Sequence, residues 1–127
     1  MSLNYVDTTF NFDSYYMVGI SGGGWTTTLY SAIDPRITQS YSIAGSLPLY
    51  LRSSPEDIGD YEQIVPSLYR IANYLDLYIL DSYGENRKHV QIFNKYDPLS
   101  ITFVSLMSFD INSKEPFETN FEIPLMP

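Results

Sequence analysis

The sequence predicts an α/β domain: a parallel sheet of about three strands with flanking helices. Three observations lead there. Short strand-like runs at 15–20, 40–44 and 89–94 alternate with helix-like segments, the turns between them are short, and a glycine cluster sits where the first run passes into the first helix. At 127 residues the chain is at most one domain, and 44% hydrophobic and 16% aromatic residues are enough to fill a core.

Each element has its own reason. "YYMVGI", Tyr15–Ile20, is a continuous apolar run, the pattern of a strand buried on both faces. Trp25–Ile33 reads as a helix that stops at Asp34-Pro35, because the residue before proline avoids the α conformation. Its three threonines give it poor helix propensity, so packing has to hold it. "SYSIA", Ser40–Ala44, is the second strand, closed by Gly45-Ser46, and a loop with Pro48, Pro55 and Gly59 follows. Tyr61–Ser82 reads as two helical pieces around Pro66. The second carries Leu68, Ile71, Ala72, Leu75, Tyr78 and Ile79 as an amphipathic stripe, with Gly84 as its left-handed cap. "HVQIFN", His89–Asn94, is the third strand, running into "KYDP". Beyond Pro98 the rhythm breaks: residues 99–127 form a divergent tail with one further strand-like stretch, Ile101–Met107.

The glycine turn, "MVGISGGGWTTTLY", fits three motifs in outline. A phosphate loop fails because Trp25 stands where its lysine belongs, and no aligned dinucleotide fingerprint surrounds Ser21. The third, G-x-S-x-G, is met by Gly19-Ile20-Ser21-Gly22-Gly23. In a nucleophile elbow the serine sits on a strained strand-to-helix turn that lifts its hydroxyl above the sheet. Gly19 and Gly23 then relieve backbone crowding, Gly24 lets the helix approach the strand, and the Gly22 N–H points at an oxyanion. The plainer alternative, a glycine-rich turn whose serine merely caps the helix, stays open.

"YYMVGISGGGWTTTLYSAIDPRI" with "AGSLPLYLR", continued by "YRIANYLDLYIL" and "HVQIFNKYDP", resembles the central part of an α/β-hydrolase over roughly Leu3 to Pro98. The resemblance implies a partial α/β-hydrolase (doubly wound) core over residues 1–98, a serine hydrolase acting on an ester or related acyl bond, and a small-molecule acyl substrate. Carried over by position, Ser21 matches the nucleophile and Asp97, after the third strand, the triad acid. Asp57 and Asp60 are competing acids, and Asp97 has an alternative as a turn residue before proline.

Two parts of the pattern are missing. No histidine follows Asp97, where the order Ser…Asp/Glu…His requires one, and the single histidine, His89, reads as a surface residue at a strand start. Only 14 residues precede Tyr15, too few for a βαβ unit of about 30 residues, so the chain reads as an excised middle section lacking its first strands. The expectation is therefore a hydrolase homologue inactive by itself, or else a non-catalytic remnant or interaction module that keeps the sheet.

Composition bounds the partners. A net charge of -8 argues against nucleic acid and anionic membrane, no apolar run reaches the ~20 residues of a membrane span, and "MSLNYVDTTFNFD" lacks the basic and apolar regions of a signal peptide. The chain is thus expected to be soluble and cytoplasmic. Without cysteine, and with one histidine, thiolate and multi-histidine metal sites are excluded, and no metal or other cofactor is expected. A first strand deprived of its outer neighbour predicts a homo-oligomer through an exposed sheet edge.

Overall fold

A computed structural model describes residues 2–52, 58–59, 61–93 and the strand 106–109. Three strands, β1 (Tyr15–Ile20), β2 (Ile37–Ile43) and β3 (Lys88–Ile92), lie side by side and parallel. A fourth, β4 (Leu106–Phe109), runs antiparallel along the outside of β3, giving the order β1-β2-β3-β4. The parallel strands are joined by α2 (Gly22–Ile33) and by a segment holding α3 (Pro66–Tyr69) and α4 (Tyr74–Ser82). An N-terminal helix, α1 (Ser2–Thr9), buries none of its residues. It is tied down by polar contacts instead: Arg36 donates to Asp7 at 2.9 Å and to Asn4 at 2.7 Å.

Both crossover helices pack on one face of the sheet and on each other. Trp25 of α2 meets Ala72, Tyr74, Leu77 and Tyr78 in the apolar core, with the Trp25 and Tyr74 rings 5.4 Å apart. Under the helices the sheet itself is polar. Period-two alternation turns Ser40 and Ser42 of β2 and His89 and Gln91 of β3 toward the helices, and all four are buried.

Four expectations are corrected. β1 is not covered on both faces: among the described residues it lies at the sheet edge, and one face is open, with Tyr16, Val18 and Ile20 66%, 68% and 67% exposed. Helix α2 begins at Gly22 rather than Trp25, since the threonines that weaken its propensity also fasten its first turn. Thr26, Thr27 and Thr28 donate their hydroxyls to the carbonyls of Gly22, Gly23 and Gly24. The stripe around α4 has another phase. Asn73 caps the helix afresh through a reciprocal box with Asp76, so Tyr74, Leu77, Tyr78 and Asp81 turn inward while Ile71 is left 86% exposed. Finally, His89 is not on the surface but fully buried.

Candidate functional site

Ser21 joins β1 to α2. Its N–H donates to the Ile43 carbonyl at 2.8 Å, continuing the β1–β2 ladder, and its carbonyl accepts from the Trp25 N–H at 3.1 Å, opening the helix. One residue thus serves both elements, and its backbone has to turn sharply: φ is 55° and ψ is -124°, a conformation L-residues avoid. The side chain is exposed at the C-terminal end of the sheet and makes no capping hydrogen bond. A serine that merely capped α2 would give its oxygen to the first-turn N–H groups.

Glycine geometry accounts for the turn at two places. A Cβ on Gly19 would lie 2.1 Å from the Gly23 carbonyl oxygen and 2.6 Å from Thr27 Oγ1, so no side chain fits there. A Cβ on Gly45 would come within 2.4 Å of the Gly24 backbone, which lets the loop after β2 press against the helix start. Gly23 itself has open space where its Cβ would stand, so crowding does not explain that glycine. The first-turn N–H groups of Gly22, Gly23 and Gly24 have no acceptor inside the helix, and Gly22 and Gly23 are exposed beside Ser21. Free N–H groups at the positive end of a twelve-residue helix suit a developing negative charge.

Hydroxyls behind this turn hold it. The Gly24 carbonyl accepts from Thr28 at 3.3 Å and from Ser42 at 3.0 Å, and Thr28 Oγ1 also lies 3.2 Å from Ser46 Oγ. The Tyr78 hydroxyl donates to the Ser46 carbonyl. From there the polar chain runs down the sheet: Gln91 Nε2 is 3.4 Å from Thr28 Oγ1, and the same amide meets His89 Nε2 at 2.6 Å.

At its lower end is a constellation that sequence reasoning missed. Ser40 Oγ is 2.6 Å and Asp81 Oδ2 3.1 Å from the same nitrogen, His89 Nδ1, while the Tyr78 ring stacks on the imidazole at 5.7 Å. A catalytic triad places serine and acid on opposite ring nitrogens; here both meet one, and no member is more than 1% exposed. Register puts His89 level with Met17, four residues or about 13 Å along the sheet from Ser21. This serine–histidine–acid cluster is a structural lock. Burial pushes the Asp81 carboxyl up to about 9, against the pull of the Arg87 charge, and burial then Arg87 bring His89 down to about 4. Its signal lay in the alternation of "SYS" and "HVQ", two polar strand faces in register.

Asp97, Asp57 and Asp60 lie outside the described residues. Among the described residues no cluster of three or more His, Cys, Asp or Glu side chains could hold a metal ion. None of the described helices is long and apolar enough to cross a membrane. Comparison with protein-family models, curated proteins and solved structures finds no match to this chain.

Proposed function

We propose that the turn at Ser21 is the nucleophile elbow of an α/β-hydrolase-type core acting on small esters or related acyl compounds. The supporting observation is the Ser21 hydroxyl: exposed, free of any capping bond, and carried on a positive-φ backbone at the head of α2. In this reading Ser21 Oγ attacks the acyl carbonyl, its proton passes through a base to the leaving alkoxide, and water then cleaves the acyl–serine ester by the same route. The Gly22 N–H receives the oxyanion, and Asp97 orients a base that takes the serine proton. That base comes from outside this chain, because its one histidine is sealed in the core. Alone, the chain turns over simple esters on the order of 10⁴-fold or more below a complete triad.

A second reading, a non-catalytic module retaining the sheet, is favoured by the same burial of His89. Treatment with a fluorophosphonate separates the two. Selective modification of the Ser21 peptide, lost in Ser21→Ala, supports the elbow. Modification no faster than that of the other serines leaves the module reading.

A further inference from the structure

The outer edge of β1 carries a second message, independent of any chemistry at Ser21. Ser21 N–H donates toward β2, and the Tyr15 carbonyl accepts from Thr38 Oγ1 of β2. Backbone direction alternates along a strand, so Tyr15, Met17 and Gly19 spend their N–H and C=O groups on β2, while those of Tyr16, Val18 and Ile20 point away from it. The side chains of these same three residues are about two-thirds exposed, on the face opposite the helices. Among the described residues β1 has no neighbour but β2. Charges, prolines and bulges are the usual guards of an edge. Tyr15–Ile20 contains no charge and no proline, and its one irregularity lies at the Tyr15/Tyr16 end.

We propose that a second copy of this chain adds to that edge, β1 against β1, antiparallel about a two-fold axis through Val18. In this register Val18 faces Val18 of the other copy, and each Tyr16 faces an Ile20. The residues of each pair exchange both of their hydrogen bonds, which uses every outward backbone group of the strand. Directly opposed residues of an antiparallel pair point to one face, so the six side chains form a single apolar stripe with two aromatic–branched cross-strand pairs. The contact is isologous and closes at two copies, whereas adding β1 to the opposite edge of another sheet would run on as a filament. The exposed parts of the three residues and their symmetry mates come to at most roughly 800 Å², below a standard interface, so the edge hydrogen bonds carry much of the contact and the dimer is a weak one.

Single cysteines test both the association and its register, since the chain has none of its own. Hydrogen-bonded antiparallel partners stand about 5.5 Å apart at Cα, within disulfide range. In a glutathione redox buffer Val18→Cys is expected to form a covalent dimer at least about tenfold faster than Ile20→Cys, whose two copies lie at opposite ends of the pair. Light scattering of the wild type is expected to move toward a dimer mass as concentration is raised to about a hundred micromolar and above. Val18→Lys, which opposes two like charges at the axis, returns a monomer with an unchanged circular dichroism spectrum. A wild type that stays monomeric as concentration is raised overturns the association. A dimer in which Val18→Cys links no faster than Ile20→Cys, or which survives Val18→Lys, overturns the register.

Discussion

At the scale of single residues, three positions of the turn should respond differently to substitution: Ser21 itself and two glycines that look alike in sequence. Gly19→Ala drives a Cβ into the Gly23 carbonyl, to which Thr27 is also bonded at 2.9 Å, so neither atom can yield easily. A loss of about 2–3 kcal/mol is expected in urea unfolding. Gly23→Ala meets open space and replaces a glycine within a helix; it is expected to gain up to about 1 kcal/mol. Ser21→Gly removes the hydroxyl and also releases the φ of 55°, so it should raise stability by about 1 kcal/mol or more. If Ser21→Gly proves neutral or destabilising, the backbone there stores no strain. The strand-to-helix turn was legible because it is local: five consecutive residues contain the whole constraint. Asp97 falls outside the described residues, and the alternation of "HVQ" places His89 in the core only through its register with "SYS" of β2, a pairing that is not local.

At the scale of elements, the strands were more legible than the helices' phases. An apolar run ended by glycine or proline marks a strand by itself, and β1 has the expected bounds. A helical stripe depends on where its helix begins. The Asn73-x-x-Asp76 box resets that origin in α4, so a stripe projected through Ile71 from the preceding turn falls on solvent. Asn73→Ala should therefore cost about 1 kcal/mol, read in the same unfolding assay. A larger joint is invisible to periodicity. The Arg87 guanidinium, almost fully buried, donates to the carbonyls of Ser31 in α2, of Leu80 and Tyr83 at the end of α4, and of Ile37 at the start of β2. It completes two helix C-termini at once, where carbonyls lack partners and a positive charge is favoured. Arg87→Met keeps the bulk but strands these carbonyls, and a loss of about 3 kcal/mol or more is expected. Arg87→Lys should recover only part of it, since one ammonium cannot reproduce the fork. Full rescue by lysine would show that the charge matters and the geometry does not.

At the scale of the whole molecule, stability should fall on the alkaline side of neutrality, and the buried lock is the reason. His89 faces Asp81 and the Tyr78 ring from α4 and Ser40 from β2, with Gln91 beside it on β3 and Arg87 close by. The Gln91 amide nitrogen donates to His89 Nε2, which leaves the neutral imidazole's proton on Nδ1, facing Asp81 Oδ2 and Ser40 Oγ. Whichever of the two holds the shared proton, the pair titrates as one unit. With Asp81 raised to about 9 and His89 lowered to about 4, the native pair keeps one titratable proton between those limits. The unfolded pair, at the ordinary values 3.8 and 6.5, has lost its last proton above 6.5. From about pH 6.5 to 9 folding therefore takes up one proton, and stability falls by up to about 1.4 kcal/mol per pH unit. Between about 4 and 6.5 both states hold one proton, and the pair contributes little slope. The upper window is unusually clean, because the chain has a single histidine and no cysteine to titrate there. Asp81→Asn supplies the control. It leaves a histidine that is neutral in the native state above about 4, so the alkaline slope vanishes and stability instead rises with pH up to about 6.5. Urea unfolding of both proteins at a series of pH values measures this. A wild-type slope that persists in Asp81→Asn would mean that the proton taken up on folding is held somewhere other than this pair.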